Sequence, residues 1–147
     1  MNNTTEPTPV PITVWHVPAA RVGETLSLPL AHRLIVTYTR GRQVILDLTV
    51  GEQLAAAADA RHRRHTRHRS AREPDRPALT VATGADATAV MAGCPIRLAV
   101  VLPGVDFSVN QTLIAAADDA GLIYRDRVVA VHDDLTVHTD ILVFTGR

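Results

Sequence analysis

The chain has 147 residues, of which 46% are hydrophobic and 20% are charged, a composition typical of one globular domain and not of an intrinsically disordered chain. Its 15 basic residues equal its 15 acidic residues, which argues against a polyanion-binding surface over the whole molecule. The charge is uneven along the chain, since residues 1–77 carry 11 arginines and 7 acids, whereas residues 78–147 carry 4 arginines and 8 acids.

The cysteine content and the N-terminal segment indicate in which cellular compartment the protein is found. The single cysteine, Cys94, excludes a disulfide within the chain and fits a reducing environment. The first residues lack the basic and apolar segments of a signal peptide. No apolar run approaches the ~20 residues that span a bilayer. We therefore expect a cytoplasmic protein without membrane contact.

The first half of the chain is predicted to form a flexible tail over 1–11, an edge strand over 12–17, a helix over 29–39, a buried strand over 43–49, a helix reaching about 65 and a charged loop over 66–77. Ser27 is the expected N-cap of the first helix, with Pro29 in its first turn. The alanine-rich stretch after Leu54 has high helix propensity, which is why the second helix is predicted to continue into the arginines that follow.

The second half is predicted to form a strand over 78–83, a short helix over 86–93, a strand over 96–102, a helix over 108–121 and two strands over 122–132 and 137–146. Ser108 is the expected N-cap of the last helix, and Gly121 is expected to end it. Because only a few residues join the last two strands, they are expected to pair as an antiparallel hairpin. The alternation of apolar strands and helices predicts one α/β domain over 12–147, built on a mostly parallel sheet.

Residues 30–54 read LAHRLIVTYTRGRQVILDLTVGEQL, a predicted helix, a break that contains Tyr-Thr and a strand that ends in Leu-Asp. This segment resembles the amino-directed DNA methyltransferases, which use S-adenosylmethionine to modify an exocyclic amine of adenine or cytosine. Residues 98–104, 106–132 and 138–144 are similar to that family's last strand, helix and hairpin. The resemblance implies a Rossmann-like methyltransferase-type sheet, mostly parallel, with a C-terminal antiparallel β-hairpin.

The resemblance implies three cofactor-binding residues. Asp47, at the end of a strand, would accept hydrogen bonds from S-adenosylmethionine, and Gly51 would let the backbone approach its methionine part. Asp86 lies in a Gly-Ala-Asp-Ala segment similar to one that contacts the adenine. Considered without the resemblance, Asp47 has the alternative role of capping the following helix, and Asp86 is a common turn residue.

Other motif positions depart from the family. Leu48 and Thr49 replace a proline and an aromatic residue, and Glu52 and Gln53 replace a small residue and a glycine. The Gln53 side chain would obstruct the cofactor, so binding of S-adenosylmethionine is expected to be weakened or lost. None of the 9 prolines is adjacent to another or precedes a tyrosine, so no residue matches the family's catalytic Pro-Pro-Tyr motif. We assign no catalytic residue.

An arginine cluster is the remaining functional candidate. Five arginines within nine residues provide guanidinium groups that suit phosphates: Arg61, Arg63, Arg64, Arg67 and Arg69. The alternative is a solvated helix end, where cations favour the helix dipole. Neither the three histidines among these arginines nor the histidines and aspartates of residues 132–140 are assigned as a metal site.

These observations predict a degenerate DNA methyltransferase-like protein without methyl transfer, with a nucleic-acid-binding or regulatory role. The predicted partners are DNA and a second protein or a second copy of this chain. Two alternatives stay open: an active S-adenosylmethionine-dependent DNA methyltransferase with divergent motifs, and a structural module with no ligand.

Overall fold

The computed structural model describes residues 10–68, 76–93, 95–104, 106–132 and 138–146. Most of the predicted tail, the predicted hairpin turn at 133–137, Arg69 and Cys94 lie outside these ranges. The elements in chain order are β1 (Ile12–His16), α1 (Leu28–Tyr38), β2 (Val44–Leu48), α2 (Gln53–Ala60), β3 (Arg64–Thr66), β4 (Leu79–Thr83), α3 (Gly84–Ala92), β5 (Arg97–Leu102), α4 (Phe107–Asp119), β6 (Leu122–Val131) and β7 (His138–Gly146).

The strands form one seven-stranded sheet in the order β1-β6-β7-β5-β4-β2-β3. Six of these strands run in the same direction, and β7 runs against them between β5 and β6. The strand pairing confirms the predicted Rossmann-like sheet, mostly parallel, with a C-terminal antiparallel hairpin formed by β6 and β7. The predicted edge strand near residue 12 is also confirmed, since β1 pairs only with β6.

Helices cover both faces of the sheet, which explains why the central strands are apolar on both sides. On one face, α1 and α2 pack through Leu34 and Leu54 onto Ile45 and other strand residues. On the other face, α3 and α4 pack through Met91 and Leu113. The core therefore has two layers separated by the sheet, as the α/β pattern predicts.

The helix caps agree with the sequence at α1 and differ at α4. Ser27 caps α1, because its Oγ accepts a hydrogen bond of 3.3 Å from the Leu30 amide. The predicted Ser108 cap of α4 is wrong, because Asp106 is the N-cap and its Oδ1 accepts from the Ser108 amide at 3.0 Å. The side chain that caps α4 is therefore a carboxylate, two residues before the predicted serine.

The region after α2 is the main correction to the predicted elements. The helix ends at Ala60, not near residue 65, and His62 adopts a left-handed φ of 60°. The Arg63 amide then donates to the Ala58 carbonyl at 2.9 Å, which closes the helix with a Schellman-type turn. The next residues form β3, which pairs in parallel with β2. The chain therefore turns back to the sheet within the arginine cluster.

Because most strands run in the same direction, their two ends define two further edges of the sheet, distinct from its edge strands. We call the edge at which β2, β3, β4 and β5 end the carboxyl edge, and the opposite edge the amino edge. The chain leaves β2 for β3 on one side and returns to β4 on the other side, so the connections reverse direction between β2 and β4. Open α/β sheets bind ligands at the carboxyl edge beside such a switch point. Among the described elements, no helix combines the length and the apolar character needed to cross a bilayer.

Candidate functional site

An open cleft of about 570 Å³ lies at the carboxyl edge beside the switch point. The end of β2, the residue after β3 and the exposed side of α3 form its walls, which are lined by Asp47, Leu48, Thr49, Arg67, Asp86, Ala89 and Val90. Its volume is in the range of small-molecule sites. The predicted residues Asp47 and Asp86 thus line the same cleft, although they are 39 positions apart in the chain.

The Asp47 side chain has no exposed surface. Both oxygens of its carboxylate contact other residues of the protein. The Oδ1 atom accepts hydrogen bonds from the amide of Thr49 at 2.8 Å and from its hydroxyl. The Oδ2 atom lies 2.8 Å from Nε2 of His65 and 3.4 Å from Nη2 of Arg67. Asp47 therefore holds the turn after β2 and the end of β3. The alternative role as a cap of α2 is wrong, because the N-cap is Glu52.

Arg67 ties the loop after β2 to the segment after β3. Its Nη1 donates to the Thr49 carbonyl at 2.8 Å, and its Nη2 donates to the Gly51 carbonyl. The Oε1 atom of Glu52 lies 3.8 Å from the same guanidinium, on a side chain that is 87% exposed. One arginine thereby bonds two carbonyls of the loop and lies beside the Asp47 carboxylate. The loop is closed on the side that faces the cleft.

The glycine of the predicted cofactor loop is covered by its own neighbour. Gly51 has a φ of +106°, which a residue with a side chain rarely adopts, and a Cβ at this position would overlap the Gln53 carboxamide oxygen. The Gln53 side chain therefore lies where a glycine in this loop would leave free space. This agrees with the prediction that Gln53 obstructs the approach of a ligand.

These residues fit S-adenosylmethionine poorly. The oxygens of Asp47 already hydrogen bond to Thr49 and His65 and form an ion pair with Arg67, so they have little capacity left for a ligand. In Rossmann-type folds, a carboxylate after the second strand of the nucleotide-binding unit commonly hydrogen bonds to the ribose of a nucleoside. The corresponding strand here is β3, and the residue after it is an arginine. Asp86 is exposed in the first turn of α3, and one of its oxygens lies 3.5 Å from the Thr83 hydroxyl.

The structure separates the four predicted arginines that it describes instead of presenting them together. Arg63 donates to the carbonyl and hydroxyl of Thr39 at 2.8 and 3.0 Å, so it fastens α1 to the turn after α2. Arg67 belongs to the cleft described above. Arg61 and Arg64 are exposed at the amino edge, where Arg64 Nε donates to the Arg42 carbonyl at 2.9 Å. Arg69 lies outside the described residues.

Two arginines that sequence reasoning did not single out join this surface. Arg40 and Arg42 are exposed in the turn before β2, and the Arg42 amide donates to the His62 carbonyl at 2.7 Å. We call Arg40, Arg42, Arg61 and Arg64 the amino-edge arginines. The guanidinium groups of the first three form no ion pair with any residue that the structure describes. In the sequence, these two arginines are visible as the Arg-Gly-Arg segment of residues 40–42. The sequence alone does not place that segment beside the arginines that follow α2.

A second buried polar group lies at the carboxyl edge on the α4 side. The fully buried Asp140 carboxylate accepts from Arg127 Nε at 2.9 Å and Nη2 at 3.0 Å, and from Asn110 Nδ2 at 2.8 Å. The hydrogen bond to Asp140 raises the pKa of Arg127. His132 is buried between the Val17 carbonyl and the Thr139 hydroxyl. Within the described ranges, no three His, Cys, Asp or Glu side chains are grouped as a metal site.

A comparison with solved structures identifies the fold. A structure from Thermoplasma acidophilum, described as that of a candidate methyltransferase, superposes with a TM-score of 0.50 at 13% identity, over 94% of this chain and 68% of that chain. The chain has a methyltransferase-like fold. No family model matches this methyltransferase-like chain, and no curated protein matches it in sequence. The likeness concerns the fold alone.

Proposed function

We propose that this protein is a degenerate relative of the amino-directed DNA methyltransferases that binds nucleic acid and does not transfer methyl groups. The observation that carries the proposal is the position of Arg67, which bonds the carbonyls of Thr49 and Gly51 and faces Asp47. An internal guanidinium there takes the hydrogen-bonding capacity that a cofactor would need. The fold is retained and its cleft has a structural role.

The loss of methyl transfer is supported by charge and by space. Glu52 is exposed beside the loop and would repel the carboxylate of a methionine group. Gln53 covers Gly51, as described above. A ligand would have to displace the Gln53 side chain and break the bonds of Arg67 before it reached the backbone of the loop.

The binding of nucleic acid is supported by the amino-edge arginines. Three exposed guanidinium groups, on Arg40, Arg42 and Arg61, have no ion-pair partner among the described residues and lie on two turns that hydrogen bond to each other. Arginine donates two parallel hydrogen bonds to phosphate, and unpaired cations release counterions from a polyanion when they bind it. This surface lies on the opposite edge of the sheet from the cleft, so it does not require the cofactor loop.

The experiment measures the affinity of the full chain for a fluorescent DNA duplex and for a single strand at several salt concentrations. The Arg40→Gln/Arg42→Gln variant is compared with an Arg21→Gln/Arg125→Gln control, which makes the same charge change elsewhere. We expect steeply salt-dependent binding by the native protein and the control. The first variant should lower the salt slope by about 1–2, because each lost phosphate contact contributes ~0.7–0.9. Equal binding by the variant and the control, or no binding by the native protein, would overturn the proposal.

A second candidate function is methyl transfer with divergent motifs. The cleft at the switch point favours it, since the cleft has the size of a ligand site and brings Asp47 and Asp86 together. The assay incubates the pure protein with S-adenosylmethionine carrying a labelled methyl group and with DNA. Label on the DNA would support this enzyme and contradict the proposal above. If neither label nor DNA binding appears, the structural-module alternative is supported.

A further inference from the structure

A pocket of about 390 Å³ lies on the α1 face of the molecule, away from the carboxyl-edge cleft. It is formed by β1, the exposed side of α1 and the turn after α2, and its lining residues are Trp15, His32, Arg33, Val36, Thr37 and Arg61. No acidic residue is among the described residues that line it. Two guanidinium groups, an imidazole and a hydroxyl therefore meet in a pocket without a compensating carboxylate.

Arg33 is oriented in this pocket by an aromatic ring. Its guanidinium carbon lies 5.5 Å from the centre of the buried Trp15 ring, a cation–π contact. Within the described part of the chain, Arg33 forms no ion pair. The contact limits the positions of the guanidinium and leaves its N–H donors available to a ligand. An oriented arginine loses less conformational entropy when it binds an anion.

His32 adds a polar atom that has no partner. Its Nδ1 atom is buried and has no hydrogen-bond partner among the described residues. A buried polar atom without a partner costs free energy, and a rotation of the ring that brings this atom into the pocket would let a ligand supply the partner. Arg61 also lines the pocket, is exposed, and makes no ion pair with any residue in the described part of the chain.

We propose that the Trp15–Arg33–Arg61 pocket binds a phosphate group of a nucleotide or of a nucleic acid strand. Phosphate offers several acceptor oxygens, which suits a pocket lined by two guanidinium groups and an imidazole. Arg61 also belongs to the amino-edge arginines, so a strand bound there passes beside the pocket. This inference deepens the proposed function: nucleic acid as the physiological ligand rests on that function, whereas the capture of phosphate does not.

Trp15 is the only tryptophan, so its fluorescence reports on the pocket directly. The full chain is titrated with inorganic phosphate, with thymidine 5′-monophosphate, and with a DNA strand that carries or lacks a 5′-phosphate. We expect each phosphate-containing probe to change the Trp15 emission in a saturable way. A stronger effect of the 5′-phosphorylated strand would indicate a terminal phosphate as the ligand, and equal effects would indicate the backbone.

Two variants test the residues. Arg33→Gln and Arg61→Gln should each weaken phosphate and nucleotide binding about tenfold, the effect of losing one charge-assisted hydrogen bond. Arg21→Gln serves as the charge-matched control and should bind as the native protein does. Because Arg61 is exposed on a turn, its variant tests the pocket even if Arg33→Gln unfolds the protein, and two-dimensional NMR of the His32 ring gives a second reading.

The outcomes separate this inference from the proposed function. If phosphate and the monophosphate perturb Trp15 and His32 but no oligonucleotide binds, the pocket stands and the nucleic-acid function fails. If oligonucleotides bind without any change at Trp15 or His32, and with equal affinity in the Arg33→Gln variant and the native protein, the pocket is overturned and the nucleic-acid function stands.

Discussion

The Arg67 guanidinium lies 3.4 Å from the Oδ2 atom of the buried Asp47 carboxylate, across the carboxyl-edge cleft from α3. The two residues come from the ends of neighbouring parallel strands, β2 and β3. Because Arg67 also bonds the carbonyls of Thr49 and Gly51, the loop that would approach a cofactor is held by side chains of the protein itself. A ligand that entered this loop would therefore have to break contacts that hold the fold together.

Loss of the Asp47 carboxylate should destabilise the fold. In Asp47→Ala, the Thr49 amide, His65 and Arg67 lose an acceptor, and we expect a decrease in the free energy of unfolding of roughly 2–4 kcal/mol. Asp47→Asn should cost less, since an amide oxygen still accepts from Thr49. Urea denaturation measures both variants, with Asp59→Ala, at an exposed position of α2, as the carboxylate control. A cost for Asp47→Ala no larger than that of the control would show that the site contributes nothing to stability.

The glycine positions separate backbone strain from overlap. Gly51→Ala should destabilise the protein by roughly 1–3 kcal/mol, chiefly because φ is +106°, with a smaller addition from moving the flexible end of the Gln53 side chain away from the new Cβ. Gly23→Ala shares a positive φ of +87° with nothing within 4 Å, so it should show the cost of the backbone alone. Gly41 has neither feature, and Gly41→Ala should be neutral or slightly stabilising. Thermal unfolding of the three variants gives the order, and equal costs at Gly51 and Gly23 would remove the role of Gln53.

The buried carboxylate of β7 should be a major contributor to stability. Asp140→Ala leaves Arg127 without its two-pronged partner and Asn110 without an acceptor, which should cost about 3–5 kcal/mol. The control is Asp119→Ala, at an exposed position near the end of α4, where we expect a change within about 0.5 kcal/mol. Chemical denaturation of both variants provides the comparison. A loss below about 1 kcal/mol for Asp140→Ala would contradict the assignment of this ion pair as structural.

The tyrosines should ionise late in an alkaline titration. Burial, with the charge of Asp126 in addition, raises the pKa of Tyr38 from 10.0 to about 12, and burial raises the pKa of Tyr124 in the same direction. Because the neutral form is favoured in the fold, this contribution to stability is complete below pH 10 and is lost as the pH rises through 12. Absorbance at alkaline pH follows the two tyrosines, and Tyr38→Phe assigns the later step. A native titration with both midpoints near 10 would contradict the burial of these rings.

The predictable part of the fold is the part that rests on local apolar patterns. Residues 44–46 and 98–102 are continuous apolar runs within β2 and β5, and the short hairpin connection fixes the pairing of β6 and β7. The strand β3 could not be read from its letters, Arg-His-Thr, because it exists through pairing with β2. Asp47 and Gly51 could likewise be singled out from the sequence as candidate site residues. Arg67 was identified only as one of a cluster, since its carbonyl partners lie 16 and 18 residues away in the chain.

Isothermal titration calorimetry with S-adenosylmethionine tests the central claim most directly, because it asks whether the cofactor can enter a loop that Arg67 and Gln53 already fill. The protein is used at full length, and its folded state is checked by thermal unfolding in the same buffer. We predict no heat of binding up to a cofactor concentration of ~1 mM, which corresponds to a binding free energy weaker than about 4 kcal/mol. Saturable binding with a micromolar Kd would contradict the account.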